Sequence, residues 1–299
     1  MHRDDIGKIL IIGGCGYIGS QLFQYLVNKK YSVDTVDLEW YGNYVNSKNI
    51  KKDYSTLTTK FLNKYQVIIL LAGFSSIPMC EKNMLDSFKN NVANFISLLN
   101  KLDKQKLIYA SSSSVYGNTK KNKITEEYDR YSPTNYYDLT KKEIDYYAQL
   151  SDVNYFGLRM GTVCGFSPNL RVDVMINKMI NTSMNKKQIV VFNKNFYRPI
   201  LGMNDFCRVV ETVLNKKKKR GLYNVASFNS QIDEIASAVG NKLGGIKVKN
   251  VGTTPGYYSF SISTRKFRKE FGFKFTDSID TIIDSIVDNY STAKKSIRV

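Results

Sequence analysis

The sequence predicts an α/β fold with a doubly wound parallel sheet, and three observations lead to this prediction. Short apolar runs alternate with amphipathic stretches over residues 1–165, which is the pattern of parallel strands joined by crossover helices. A glycine turn, GGCGYIGS, follows the first apolar run. Two later apolar runs, VIILLAG and KLIYASSSS, suit buried strands, and both are too short to cross a bilayer.

The first element is a strand–turn–helix–strand unit, KILIIGGCGYIGSQLFQYLVNKKYSVDTVDLEW. Gly13 permits the tight turn, Gly16 lets the backbone approach a pyrophosphate, and Gly19 lets the helix pack on the strand. Asp37 closes the second strand, where a carboxylate can accept hydrogen bonds from both hydroxyls of an adenosine ribose. Because this carboxylate would repel a 2′-phosphate and no arginine follows it, the unit predicts NAD and not NADP.

The next two strands carry the other half of the predicted site. VIILLAG ends at residues 71–73, which we expect to lie across the nicotinamide side of the cofactor, and KLIYASSSSVYG runs into four serines. Further on, Tyr137 and Lys141 stand four residues apart in NYYDLTKKEID, so on a helix they share one face. A nearby ammonium favours the phenolate, which makes a tyrosine usable as a base. An ordinary half-exposed helix would show the same spacing, so the pair predicts a catalytic role only in combination with the earlier segments.

Together these segments resemble the extended short-chain dehydrogenase/reductase family, and within it the nucleotide-sugar epimerases and dehydratases. The resemblance extends over nearly the whole chain. The matching pieces are GGCGYIGS, Asp53, LLAG, Asn91, SSSSVYG, Tyr137 with Lys141, LRMGTVCG, Arg198 with Pro199, Asp205 and GLYNVAS. The family likeness implies a Rossmann domain that binds NAD, a nucleotide-diphosphate sugar as substrate, and a homodimer.

The resemblance also implies the catalytic roles. The family's catalytic hydroxyl lies four residues before the tyrosine of VYG, which is Ser112 in this chain, with Ser113 as the second choice. Ser112 would hydrogen-bond the sugar hydroxyl, and Tyr137 would remove its proton while hydride leaves for the nicotinamide. Lys141 would lower the tyrosine pKa and hold the cofactor ribose.

Binding roles follow from the same likeness. The implied cofactor contacts are Gly13, Gly16, Tyr17, Ile18, Gly19, Asp37, Asp53, Tyr54, Leu71, Ala72, Gly73, Asn91, Tyr137 and Lys141. The implied substrate contacts are Ser75, Ser113, Thr162, Arg171 and Arg198. Arg198 matches the family's diphosphate-binding arginine, a role that suits a planar guanidinium. Arg171 resembles an arginine of one subgroup, and a solvated helix start is the alternative for it.

Two serines reduce the number of reaction types that the resemblance allows. Relatives that eliminate water from a 4-keto sugar carry an Asp-Glu pair after the catalytic hydroxyl, where this chain has Ser113 and Ser114. The resemblance therefore favours oxidation at a ring carbon, most commonly C4, followed by hydride return as in an epimerase. A dehydrogenase or ketoreductase that releases its product is the alternative. A catalytically silent NAD-binding module that regulates a partner is a further alternative.

Composition agrees with an enzyme of the reducing cytoplasm. The four cysteines form no CxxC pair and the only histidine is His2, which argues against a metal site. The chain carries 44 basic and 26 acidic residues, but the lysines are scattered, so we expect no nucleic-acid partner. The run KKKKR at 216–220 is interpreted as a helix C-terminus. No membrane partner is expected either.

The organisation is expected to follow the family pattern. Residues 1–165, with late elements near 200–227, would form the NAD-binding domain. Residues 166–199 and 228–299 would form a smaller, interleaved C-terminal lobe that binds the nucleotide sugar. A homodimer would assemble through two long helices at about 86–101 and 133–151.

Overall fold

The centre of the computed structural model is a seven-stranded sheet. The model describes residues 6–45, 48–119, 123–130, 133–216, 220–253 and 258–297. The strands of the sheet are β1 (Ile9–Ile12), β2 (Val33–Asp37), β3 (Asn49–Lys51), β4 (Val67–Leu70), β5 (Lys106–Ser112), β6 (Asn154–Met160) and β11 (Gly221–Val225). They lie in the order β11-β6-β5-β4-β1-β2-β3, and every neighbouring pair is parallel. The predicted doubly wound α/β fold is therefore confirmed.

Both faces of this sheet are covered. Along β1, Ile9 and Ile11 belong to one hydrophobic core, whereas Leu10 and Ile12 belong to a second core. All four side chains are buried, as expected of a strand with helices on both sides. The helices that follow or flank the strands are α1 (Tyr17–Asn28), α2 (Thr59–Leu62), α3 (Ile77–Lys82), α4 (Met84–Phe88), α5 (Asn94–Leu99), α6 (Tyr136–Leu150) and α8 (Met203–Asn215).

The remaining strands form three small sheets. These strands are β7 (Thr162–Cys164), β8 (Asn169–Arg171), β9 (Ile189–Val191), β10 (Tyr197–Gly202), β12 (Phe228–Gln231), β13 (Val248–Asn250) and β14 (Lys294–Ser296). Their sheets are β12-β10-β7, β13-β9 and β14-β8. The helices among them are α7 (Met175–Lys186), α9 (Ile232–Lys242), α10 (Arg265–Phe271) and α11 (Ile279–Val287). The division of the chain into two lobes stays a prediction.

Two predicted helices have different bounds in the structure. The one expected at 86–101 is interrupted, because a π-helical segment, Lys89–Ala93, separates α4 from α5. The one expected at 133–151 begins only at Tyr136, because the Asn135 side chain accepts a hydrogen bond from the Asp138 amide and caps the helix. The two helices were expected from the family resemblance, which does not predict local features such as a π-helical segment or a cap.

Three expectations concern features that the structure tests only in part. Helix α8 ends at Asn215, and residues 217–219 of the basic run lie outside the described residues, as does His2. Within the described ranges, no helix is long and apolar enough to cross a membrane. The same ranges contain no group of three or more His, Cys, Asp or Glu side chains placed to hold a metal ion.

Candidate active site

The glycine turn after β1 forms the floor of a cavity at the carboxyl ends of the strands. Gly13 has a φ of 90°, and a Cβ on it would lie 2.4 Å from the Ala72 amide nitrogen. A Cβ on Gly19 would lie 2.0 Å from the Gly13 carbonyl oxygen. Gly16 stands at the N-cap of α1, where free amides can face an anion. The turn thus has the space and the donors that a dinucleotide pyrophosphate requires.

Asp37 lies in the wall of the same cavity, at the end of β2. Its Oδ2 accepts a hydrogen bond from the Cys15 amide at 3.0 Å, and its Oδ1 accepts one from the Glu39 amide at 2.7 Å. Two backbone donors therefore fix the carboxylate beside the glycine turn. This geometry fits the ribose-binding role predicted from the sequence.

Other predicted cofactor residues line this cavity as well. They are Tyr17, Ile18, Asp53, Tyr54, Leu71, Ala72 and Gly73. Sequence reasoning did not select Trp40, Tyr41 and Lys52, which also line it. Trp40 packs edge-on against Phe74, with ring centroids 5.6 Å apart. No motif marks these side chains in the segments after β2 and β3. Only their closeness to Asp37 and Asp53 in the sequence could have indicated them.

Asn91 does not line the cavity, although a direct cofactor contact was predicted for it. Its side chain accepts from the Phe74 amide at 2.8 Å and donates to the Phe74 carbonyl at 3.0 Å. It also donates to Thr140 Oγ1 at 3.2 Å. These bonds hold the segment after β4 against α6, and the cofactor contact of Asn91 stays a prediction.

A second cavity is continuous with the first. Both cavities share Tyr17, Ile18, Leu71, Gly73, Ser75 and Arg171 in their walls. The second cavity contains the three predicted catalytic residues, Ser112, Tyr137 and Lys141. Ser112 comes from the end of β5, whereas the other two come from the first turns of α6. The fold thus brings together two segments that are well separated in the chain.

The three catalytic candidates are held by short local contacts. The Lys141 Nζ donates to the Ala110 carbonyl at 2.8 Å and lies 5.9 Å from the centroid of the Tyr137 ring. Ser112 Oγ lies 2.7 Å from Ser114 Oγ and accepts a hydrogen bond from the Ser114 amide at 3.1 Å. Since strand β5 and helix α6 fix these atoms, the site is preorganised.

The ionisation of this pair depends on its burial. Burial raises the pKa of Tyr137 to about 12, while the Ser112 hydroxyl and the Arg171 charge act in the lowering direction. Burial lowers the pKa of Lys141 to about 8. In the chain alone, desolvation of the phenol outweighs the nearby charges. The lowering of the tyrosine pKa by Lys141 in the presence of NAD stays a prediction.

The predicted substrate residues lie around the second cavity. Ser75, Ser113, Thr162, Arg171 and Arg198 all contribute to its wall. Arg171 ends strand β8, so the alternative of a solvated helix start is wrong. Its Nε lies 3.0 Å from both carboxylate oxygens of Asp173, and its Nη1 donates to the Ser75 carbonyl at 3.2 Å. Much of the hydrogen-bonding capacity of Arg171 is thus directed towards the protein.

Arg198 is held from the side by aromatic rings. Its guanidinium carbon lies 5.6 Å from the ring centroids of both Tyr258 and Phe260, and its Nη1 donates to the Tyr258 carbonyl. Sequence reasoning missed these two aromatic residues, which also line the cavity. It also missed Asp138, a fully buried carboxylate next to Tyr137. An acid in the first turn of a helix is common, so no sequence pattern indicates that this one is buried.

One prediction follows from the position of Asp37. The substitution Asp37→Ala removes the acceptor for two ribose hydroxyls and the repulsion of a 2′-phosphate, so NAD affinity should fall about tenfold to hundredfold, and NADP should bind as well as NAD. Titration of both cofactors measures this. Asp34→Ala on the same strand is the control, because Asp34 pairs with Lys8 away from the cavity. Tighter binding of NADP than NAD by the unaltered protein would contradict the assignment.

Comparison with known proteins identifies the family. The family model for the NAD dependent epimerase/dehydratase family matches residues 9–226. The chain is 27% identical to Protein CapI of Staphylococcus aureus, over 95% of this chain and 98% of that protein. It is 33% identical to a UDP-glucose 4-epimerase of Lactobacillus helveticus, over 54% of this chain and 53% of the relative.

A solved structure shows the same fold. It is a UDP-glucuronic acid 4-epimerase mutant from Bacillus cereus in complex with NAD and a fluorinated UDP-glucuronic acid; the TM-score is 0.84 at 23% identity, over 95% of this chain and 99% of that one. The glycine turn, the fixed Asp37 and the matched span of residues 9–226 lead to one conclusion. This chain belongs to the NAD-dependent epimerase/dehydratase family.

Proposed function

We propose that this protein uses NAD to oxidise a ring carbon of a nucleotide-diphosphate sugar, C4 in the leading hypothesis, and returns the hydride to the opposite face as an epimerase. One observation carries the proposal. Ser112, Tyr137 and Lys141 face a single cavity that continues into the cavity of the glycine turn, and Arg198 lies in the wall of the same cavity. Such a site can bind a sugar hydroxyl, a hydride acceptor and a negatively charged diphosphate at the same time.

Each side chain has one task in this proposal. Ser112 holds the sugar hydroxyl, and the Tyr137 phenolate accepts its proton. Lys141 holds the cofactor ribose, and its charge favours the phenolate. NAD supplies the hydride acceptor, and its positive ring adds to the same electrostatic effect. Arg198 binds the diphosphate, and the surrounding residues 166–199 and 228–299 serve as the substrate lobe.

The cavity wall supports redox chemistry without elimination. Ser113 and Ser114 stand where the dehydratases of the family carry acids, and both line the cavity. The carboxylate of Asp138 also contributes to the wall of this cavity, but the residue is fully buried. An epimerase therefore ranks above a dehydratase in this proposal, and a dehydrogenase or ketoreductase that releases its product is the second candidate.

A panel of UDP, GDP, dTDP and CDP sugars tests the proposal. Each sugar is incubated with the protein and NAD, products are identified by NMR, and reduced cofactor is measured by absorbance. An isomer without net NADH is the result expected of an epimerase, whereas one NADH for each sugar consumed indicates a dehydrogenase. Neither isomer nor NADH, with NAD still bound, would contradict both and favour a regulatory module.

A second prediction concerns Arg198. Because charge-assisted hydrogen bonds contribute about 1.5–3 kcal/mol each, Arg198→Ala should raise the KM for the active sugar about tenfold to hundredfold and change kcat less. Arg198→Lys should recover only part of this loss, since an ammonium cannot bind the diphosphate bidentately. Steady-state kinetics of both variants measure the effect, with Arg268→Ala on the exposed face of α10 as the control. An unchanged KM in Arg198→Ala would remove the diphosphate assignment.

A homodimer through α4 and α6 belongs to the proposal. These helices expose a set of large apolar side chains, namely Met84, Leu85, Phe88, Tyr146, Tyr147 and Leu150. An exposed apolar patch of this kind marks an interaction surface. Sedimentation of the protein at several concentrations tests the assembly, and Leu150→Lys should shift it towards monomer.

A cytoplasmic location is also proposed. Cys15, Cys80, Cys164 and Cys207 are all free and buried. Burial raises the pKa of the Cys164 thiol, which disfavours the reactive thiolate. Unpaired thiols of this kind are usual in proteins of a reducing compartment.

A further inference from the structure

Trp40 is an apolar ring that lines a cavity and is nevertheless half exposed. It is the only tryptophan of the chain, it is 54% exposed, and it lines the cavity of the glycine turn. Its ring packs edge-on against Phe74, with the two centroids 5.6 Å apart and the planes at 73°. An exposed aromatic surface inside a cavity is suited to contact with a bound ligand.

The contact between the two rings crosses the end of strand β1. Trp40 follows β2, whereas Phe74 follows β4. In the sheet β1 lies between these two strands, so the strands that lead to the rings are about 10 Å apart. The glycine turn leaves the carboxyl end of β1. The pair of Trp40 and Phe74, named the aromatic bridge here, therefore spans the sheet at the turn that has the space for a pyrophosphate.

Phe74 gives the aromatic bridge a fixed end. The Phe74 amide donates to Asn91 Oδ1 at 2.8 Å, and its carbonyl accepts from Asn91 Nδ2 at 3.0 Å. The Phe74 ring is buried in a cluster with Met79 and Cys80. Because backbone and side chain are both held, Phe74 can serve as a rigid support for the exposed ring of Trp40.

The other end of the aromatic bridge is anchored through Glu39. This residue directly precedes Trp40 and has a φ of 61°, which is an unfavourable conformation for a residue with a side chain. Its Oε1 accepts from Asn43 Nδ2 at 2.8 Å and from Asn49 Nδ2 at 2.9 Å. Its amide donates to Asp37 Oδ1 at 2.7 Å. One anchored turn thus fixes Asp37 and places Trp40 in the wall of the same cavity.

We propose that the aromatic bridge closes over NAD and keeps it in the cavity during a complete reaction cycle. The exposed surface of Trp40 covers the dinucleotide, while the edge contact with Phe74 holds the cover in place. Release of the cofactor then requires the two rings to separate. An aromatic pair of this kind changes an equilibrium about twofold to tenfold, and the apolar surface that the cofactor covers on Trp40 adds to this effect.

Retention of the cofactor has a purpose in an epimerase. The hydride that leaves the sugar must return from the same reduced nicotinamide, so release before the second transfer would leave a keto sugar and free NADH. A dehydrogenase, in contrast, must exchange its cofactor in every cycle. This purpose rests on the proposed function, whereas the closure of the aromatic bridge over NAD does not.

The single tryptophan allows a test on the unaltered protein. Acrylamide quenching of its fluorescence is measured without cofactor and at saturating NAD. The quenching constant should fall about twofold or more when NAD binds, because the exposed part of the side chain becomes covered. A quenching constant that NAD leaves unchanged would overturn the proposal.

The rate of NADH release provides the second test. The NADH complex is mixed with excess NAD, and the loss of bound NADH fluorescence gives the rate. Trp40→Ala should release NADH about 10–100-fold faster than the unaltered protein, whereas Trp40→Phe keeps a ring and should stay within a few-fold. Val27→Ala is the control, because Val27 is 43% exposed on α1 outside both cavities. Equal release rates in Trp40→Ala and the unaltered protein would also overturn the proposal.

A double variant tests whether the two rings act together. Phe74→Leu should release NADH about twofold to tenfold faster than the unaltered protein. Trp40→Ala combined with Phe74→Leu should release it no faster than Trp40→Ala alone, because the contact is already lost. Effects that multiply would show that the rings act separately and would contradict the aromatic bridge. Circular dichroism establishes that each variant is folded.

Turnover separates this inference from the proposed function. With the active sugar, the unaltered protein should form the isomer without net NADH, whereas Trp40→Ala should also release keto sugar and NADH in equal amounts. Isomer formation by Trp40→Ala without any NADH would contradict the need for retention. Absence of turnover on every sugar defeats the proposed function and leaves the quenching and release tests in place.

Discussion

Tyr137→Phe should lower kcat about 10³-fold, because in the proposed function the Tyr137 oxygen accepts the substrate proton. General base catalysis by a positioned side chain contributes about 10²–10⁴-fold. The Tyr137 ring packs against a small apolar cluster of Phe74, Met79 and Cys80, and phenylalanine preserves that packing. The fold and NAD affinity should therefore remain within a few-fold of the unaltered protein, as circular dichroism and cofactor titration would measure.

The neighbouring tyrosine gives a matched control for this variant. Tyr136 begins the same helix and is 43% exposed, so Tyr136→Phe should keep full activity. If Tyr137→Phe kept more than a tenth of the unaltered kcat, the phenol could not be the base. The role would then have to pass to another group in the cavity.

Lys141→Met is the second substitution with a large expected effect, and its effects on activity and stability have opposite signs. In the proposed function the ammonium holds the cofactor ribose and favours the phenolate, so its loss should lower kcat/KM about 10²-fold or more. The unfolding free energy should rise at the same time, because methionine fills the buried site without a desolvated charge. Functional sites often carry this kind of stability cost.

The stability gain should depend on pH in a defined direction. Burial lowers the folded-state pKa of Lys141 to about 8, against an ordinary value of 10.5. The folded protein thus binds this proton less tightly than the unfolded chain does. The stability cost of the buried ammonium therefore has its full size below about pH 8. It decreases as the pH rises from about 8 towards 10.5.

Denaturant unfolding of the unaltered protein and of Lys141→Met across this pH range measures the stability cost of the buried ammonium. At pH 7 Lys141→Met should be more stable by about 1–3 kcal/mol, and the difference should shrink as the pH increases. Lys104→Met, at an exposed position, serves as the control. A destabilised Lys141→Met at pH 7 would show that the hydrogen bond to the Ala110 carbonyl outweighs the desolvation of the charge.

The features that depend on residues close together in the chain could be predicted from the sequence. The turn after β1 could be predicted because Gly13 and Gly19 stand at positions where the structure leaves no room for a Cβ. Asp37 was readable because it ends a short buried strand. Ser112, Tyr137 and Lys141 were located through the family resemblance, and the parallel order of β4, β5 and β6 explains how they come to face one cavity.

Features that depend on distant contacts could not be predicted. Asp138 is buried because Tyr258, 120 positions away in the chain, donates to it. The ionisation of Tyr137 depends on the depth of its burial, which the spacing to Lys141 does not encode. The same holds for Arg171, which ends a strand because β8 pairs with the distant β14.

The most direct test of the central claim is rapid mixing of the NAD-loaded protein with the active sugar. The experiment is done once with the ordinary sugar and once with a sugar that carries deuterium at the reacting carbon. The account predicts a transient absorbance of reduced nicotinamide that forms more slowly with the deuterated sugar and is missing in Tyr137→Phe. Product formation without this transient and without an isotope effect would contradict hydride transfer at this site.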